Sequence, residues 1–201
     1  MAIFRKDANG PRPQLLVQAQ RIAAGLDVFE DFVLAPAAQK RARISEIKRR
    51  SDAAAAKVLQ ALERGEGPAA ERRRLRRCSR ELEELFFCVK AAAEDMTVFQ
   101  SAADARLLQM AKALRDAGER IAAAIETLGA EPRACGAHLV AARRSEQRLQ
   151  TICRRSLAEL VKGPGVVAVM KGRELYRRFS DAGRHGAEAA DILGELLAGK
   201  L

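Results

Sequence analysis

The chain has 201 residues, with 36 Lys+Arg against 26 Asp+Glu, a formal net charge of +10 and a pI near 10.0; that is enough for one domain or two small ones with a real core. Its 48% hydrophobic content excludes disorder, and 4% aromatic residues with no Trp and one Tyr exclude an all-β fold, because strands draw on aromatic and β-branched side chains.

The opening residues, MAIFRKDANGPRP, lack the apolar stretch of a signal peptide. The longest uncharged run near the C-terminus, GPGVVAVM, falls far short of the ~18 apolar residues a membrane-spanning helix requires. The chain is therefore expected to stay in the cytoplasm. Cys78, Cys88, Cys135 and Cys153 form no C-x-x-C pair, so buried free thiols are expected rather than a zinc site.

Proline spacing divides the chain. The intervals Pro36 to Pro68, Pro68 to Pro132 and Pro132 to Pro164 are 32, 64 and 32 residues. A module of that length fits a long helix plus a turn, and the doubled interval implies an unmarked break, placed at Thr97 to Ser101. Gly65 and Gly67 before Pro68, Gly129 before Pro132 and Gly163 before Pro164 are the expected pattern of glycine past one helix end and proline in the first turn of the next.

Six long helices follow, roughly 13–34, 37–64, 69–96, 101–129, 132–162 and 167–198. In the third, Leu75, Cys78, Leu82, Leu85, Phe86, Val89, Ala92, Ala93 and Met96 recur at steps of mostly three and four residues; in the sixth, Phe179, Ala182, Gly186, Ala189, Ala190, Leu193 and Leu196 do the same. Long helices joined by short turns pack antiparallel. The fold expected is all-α, one domain over residues 1–201, built as two three-helix units or one elongated six-helix bundle.

Charge is concentrated in the second and third helices. Between Lys40 and Arg80 there are 14 basic and five acidic residues, which supplies nine of the ten surplus charges. Besides a solvated helix face, such a run fits an anionic partner: nucleic acid, an anionic lipid surface or an acidic protein face. Arg72, Arg73, Arg74, Arg76 and Arg77 are the candidate contact residues. Specific nucleic-acid recognition is the weaker choice, since no aromatic residue is interleaved with these arginines.

No catalytic constellation stands out. The segment Gly194 to Leu201 resembles a P-loop, but Leu201 stands where Ser or Thr must bind Mg²⁺. The Gly163-Pro164-Gly165 turn has no preceding strand to make it a phosphate cradle, and His138 and His185 read as packing or surface residues. A non-enzymatic protein without a cofactor is expected.

The last segment, KGRELYRRFSDAGRHGAEAADILGELLAGK, together with Asp52 and the following Val58-Leu59-Gln60-Ala61-Leu62 and with LRRCSRELEELFFCVKAAA from Leu75 to Ala93, resembles the PhoU-like phosphate transport regulators associated with Pit-type phosphate permeases. The resemblance extends from about Gln14 to Lys200. It implies a PhoU-like helical bundle, a cytoplasmic accessory role in phosphate transport and association with a permease, while the basic run adds the anionic inner-membrane surface as a contact; a homodimer is a further option. It also implies acid-x-x-x-acid motifs whose carboxylates, one turn apart on a helix, chelate metal ions. This chain departs from that pattern at each aligned slot, which reads Lys48 and Asp52, Glu83 and Phe87, Glu146 and Gln150, Ser180 and Arg184. The architecture is expected to carry over and the metal cluster to be lost, with Lys48 pairing Asp52 and Arg184 reaching Glu83 or another acid of a neighbouring helix. A basic helical scaffold for nucleic acid or another polyanion is the alternative.

Overall fold

A computed structural model describes residues 9–65, 67–102, 104–163 and 165–199. Residues 1–8, Glu66, Pro164, Lys200 and Leu201, which entered the sequence reading, lie outside the described residues.

Six helices follow in order: α1 (Pro11–Leu34), α2 (Ala38–Glu63), α3 (Ala69–Val98), α4 (Ala105–Thr127), α5 (Pro132–Leu160) and α6 (Val166–Ala198). Among the described residues there is no strand. The punctuation works as the sequence implies at Gly129 and Pro132, which opens α5, whereas Pro68 stands one residue earlier than expected, as the N-cap of α3 rather than in its first turn. Gly65, Gly67 and Gly129 take φ of 79°, 82° and 91°, the left-handed region that glycine enters without steric cost, just past the ends of α2 and α4. The break expected at Thr97 to Ser101 is real, since α3 ends at Val98 and Gln100 turns the chain at φ 54°. It is wider than expected: α4 begins at Ala105 rather than near 101, where the Asp104 side chain accepts a hydrogen bond from the Arg106 backbone N–H at 2.8 Å.

Successive helices run antiparallel. The inner four are α1, α3, α6 and α4, packed in a ring of neighbours; α2 covers α1 and α3, and α5 covers α4 and α6. The result is two three-helix units, α1–α3 and α4–α6, joined across α1–α4 and α3–α6. One continuous core takes side chains from all six helices. Its largest members, Phe29, Phe32, Phe86 and Phe179, are fully buried, and Phe29 and Phe179 tilt against each other at 5.3 Å between ring centroids. Small residues set the helix spacing. A Cβ on Gly25 would lie 2.2 Å from Phe86 Cζ, one on Gly118 2.3 Å from Leu26 Cδ1, and one on Gly183 2.3 Å from Leu149 Cδ2.

All four cysteines are buried and none is joined in a disulfide. No helix among the described residues is long and apolar enough to cross a membrane.

Candidate functional site

Helix α2 brings Lys48 and Asp52 to one face at i, i+4 spacing, and Lys48 Nζ donates to Asp52 Oδ1. Antiparallel α3 lays Arg76, Ser79, Arg80, Glu83, Glu84 and Phe87 beside them, and with Lys48 and Leu59 these line an open groove of about 540 Å³. Phe87 is 52% exposed there, an apolar ring among charges. Ser79 forms the groove floor: its Oγ donates to Gln18 Oε1 at 2.7 Å and its carbonyl accepts from Gln18 Nε2 at 2.9 Å. Partial burial, and after it the Asp52 charge, push the Glu83 carboxyl above its ordinary range, with Lys48 pulling the other way.

The other two aligned slots meet on the opposite three-helix unit, between α5 and α6. Ser180 Oγ donates to Gln150 Oε1 at 2.9 Å, and Gln150 Nε2 donates to the Ser180 carbonyl at 3.3 Å. Arg184 does not reach Glu83. Its Nη2 donates to His185 Nε2 at 3.2 Å, and His185 Nδ1 lies 2.7 Å from Glu81 Oε2 on α3. Because an arginine can only donate, His185 Nε2 is the acceptor and Nδ1 carries the proton toward Glu81. Among the described residues Arg184 forms no ion pair with an acid of a neighbouring helix; His185, the next residue, makes the contact with Glu81. Position explains the change: 184 falls on the exposed edge of α6, while 185 turns toward α3.

Neither slot fits a metal cluster. The α2–α3 slot offers two carboxylates, one already engaged by an ammonium group, and a phenyl ring where another ligand would stand. The α5–α6 slot offers the carboxylate of Glu146, while the amide and hydroxyl beside it bond to each other. Among the described residues no group of three or more His, Cys, Asp or Glu side chains is placed to hold a metal ion.

The arginine run does not act as one cluster, because helical phase divides it. Arg72 Nη1 donates to the carbonyls of Gly65 and Gly67 at 2.8 and 2.6 Å, holding the α2–α3 turn. Arg74 and Arg77 cross to α6, where they meet Glu195 at 3.0 Å and Glu188 at 3.1 Å. Arg73 and Arg76, with Arg80 one turn beyond, remain exposed and form no ion pair among the described residues. Sequence reading overlooked Gln18 and the His185–Glu81 contact. A signal for the first exists: Gln18 interrupts the apolar series Leu15, Ala19 and Ile22, and a polar residue on a buried stripe needs a partner. The second depends on the register of α3 against α6, which no local pattern gives.

A comparison with models of protein families finds no match, and none of the curated proteins matches the sequence either. Among solved structures the chain is similar to a PhoU-like protein from Shewanella oneidensis MR-1, with a TM-score of 0.78 and 16% identity over 94% of this chain and 100% of that one. It is also similar to a protein of the same organism described as a PhoU-like phosphate regulatory protein, with a TM-score of 0.76 and the same identity and coverage. The fold is therefore the PhoU-like helical bundle.

Proposed function

We propose that this protein is a non-enzymatic regulatory accessory of phosphate transport, acting by contact with a partner. Support for the phosphate role comes from the full-length likeness of the fold to a protein described as a phosphate regulator, together with the resemblance of three of its helices to that group. The observation that carries the contact role is the α2–α3 groove, where Arg76, Arg80 and Lys48 stand beside Glu83 and Glu84, with Phe87 and Leu59 exposed between them. A groove carrying both signs of charge and apolar side chains suits a protein face such as a permease loop. A polyanion track suits it less, since Glu83 and Glu84 would repel a phosphate backbone. Among the groups that could act as nucleophile or base, the four thiols are buried and His185 is held between Arg184 and Glu81.

The test is genetic. Deleting the gene should change cellular phosphate uptake, wild-type protein should restore it, and a variant carrying Arg73→Gln, Arg76→Gln and Arg80→Gln should restore it poorly. Uptake that is indifferent to the deletion in both phosphate-limited and phosphate-replete cells overturns the phosphate role. Full restoration by the triple variant overturns the groove as contact surface.

A further inference from the structure

Antiparallel order sends the α1–α2, α3–α4 and α5–α6 turns to one end of the bundle. Two contacts fix this: the α1–α2 and α3–α4 turns share a pocket lined by Pro36, Ala37, Gln100 and Ser101, and Lys171 Nζ donates to the Phe99 carbonyl at 3.3 Å. That end gathers seven of the ten exposed large hydrophobic residues among those described. Leu34 and Val98 come from the first two turns, and Leu157, Val161, Val166, Val167 and Met170 from the third. Scattered exposed apolar residues need no explanation, but a concentration at one end does.

The α5–α6 tip projects beyond the core. From Leu157 to Glu174 no described residue is buried. The hairpin is nevertheless closed on itself, because Gly172 lets α6 approach so near that a Cβ there would stand 2.8 Å from Leu160 Cδ2. Leu160 therefore serves the helix pair, and the five side chains above are left facing outward. Val166, Val167 and Met170 are 76%, 67% and 66% exposed. Around them the charge has one dominant sign: residues 154–173 hold Arg154, Arg155, Lys162, Lys171 and Arg173 against the single acid Glu159, which Lys162 already pairs at 3.2 Å.

We propose that the α5–α6 tip seats on an anionic lipid bilayer, its apolar apex entering the headgroup region and its cations meeting the lipid phosphates. Aliphatic side chains at the apex and basic residues behind it match both attractions of an interfacial anchor, apolar burial and electrostatic pull toward anionic lipid. A second copy or a folded partner fits less well. A stable protein interface takes roughly 20–30 residues a side on a matching surface, whereas this tip is a convex end of two helix turns. The inference is independent of the phosphate reading, since purified protein and lipid alone decide it.

The chain contains no tryptophan, so Val167→Trp makes a sole tryptophan reporter, excited selectively over Tyr176, in an otherwise native protein. Vesicles of phosphatidylglycerol and phosphatidylcholine at low ionic strength should shift its emission to the blue and should sediment the wild-type protein, while vesicles of phosphatidylcholine alone do so weakly. Added salt should weaken binding. Combined Val166→Ser, Val167→Ser and Met170→Ser should lower partition by about tenfold or more, given the apolar area removed, with an unchanged melting curve because these side chains pack against nothing in the core. No sedimentation with anionic vesicles, no blue shift, or sedimentation unaffected by the triple Ser variant overturns the proposal. So does a change of oligomeric state in the Ser variant without vesicles, which would make the tip a contact between copies.

Discussion

Ser180 and Gln150 satisfy each other twice, hydroxyl to amide oxygen at 2.9 Å and amide nitrogen to carbonyl at 3.3 Å. The same reciprocal arrangement recurs between Ser79 and Gln18, at 2.7 and 2.9 Å, where both residues are almost completely buried. Depth decides what each is worth. Ser79→Ala strands the Gln18 amide oxygen away from water and should cost about 1–3 kcal/mol, whereas Ser180→Ala leaves half-buried groups that water can reach and should cost about 0.5–1.5 kcal/mol. Urea unfolding of both variants checks the order; an equal or reversed loss would show that burial does not govern these pairs.

Glycines in this bundle carry opposite consequences. Gly25→Ala must displace the fully buried Phe86 ring and should destabilise by about 1–3 kcal/mol. Gly194 sits inside α6 with nothing within 4 Å of its missing Cβ, so Gly194→Ala should stabilise by about 0.5–1 kcal/mol through helix propensity alone. Melting temperatures that move in the same direction in both variants would contradict the packing described.

Helix count and turn positions were legible because they rest on local chemistry: glycine in the left-handed region at positions 65, 67 and 129, proline in a first turn at 11 and 132, and apolar residues at helical spacing. The Lys48–Asp52 pair was legible for the same reason, its two members lying one turn apart. The fate of the arginines was not. Whether Arg74 and Arg77 face α6 or solvent depends on the rotation of α3 and on the register that sets Glu195 and Glu188 opposite them. Arg184 shows the same limit at a single residue, because a rotation of about 100° per position separates a solvent-facing guanidinium from an imidazole bonded to Glu81.

Thiol chemistry should be slow in the folded protein. Burial pushes Cys78 and Cys153 up to about 12 and raises Cys88 as well, so few thiolates form at neutral pH. Labelling by a soluble thiol reagent at pH 7 should proceed only through opening of the bundle and become fast once the protein is unfolded. Rapid labelling of any of these three residues in the native protein would contradict their placement.

Two glutamates should give opposite pH effects. Hydrogen bonds from Arg49 and Arg50 hold the Glu46 carboxyl down to about 2. A lowered value means stability that is present above the ordinary carboxylate value of about 4.3 and lost as pH falls toward 2. The Glu83 carboxyl is raised, so its contribution is present below the ordinary value and lost as pH rises through the raised one. Glu46→Gln should therefore lower the melting temperature slightly at pH 7, with the difference from wild type closing in acid. Glu83→Gln should raise it at pH 7 by removing a partly buried charge and, after that, its repulsion with Asp52. Melting curves across pH check both signs, and a Glu83→Gln protein less stable than wild type at neutral pH would reverse the account of that groove.

Two substitutions in the α2–α3 groove should create a metal-chelating site there. Lys48 now supplies next to Asp52 the positive charge that a cation would otherwise provide, so the wild-type melting temperature should not respond to EDTA. Combining Lys48→Glu with Phe87→Glu places two carboxylates one turn apart on each of α2 and α3. Without metal that change should destabilise, since each like-charge pair at this spacing costs roughly 0.2–0.5 kcal/mol and the Lys48–Asp52 attraction is gone. Phe87 is half exposed, so its removal leaves the core intact. With Mn²⁺ or Zn²⁺ at 100 times its dissociation constant the variant should recover about 2.7 kcal/mol, the gain expected when a ligand binds only the folded state. Thermal melts of both proteins with EDTA and with added ion decide the matter. A wild-type protein whose melting temperature falls on chelation would show that it holds a metal after all, and a variant that ignores the ion would show that the groove does not stand where these carboxylates could converge.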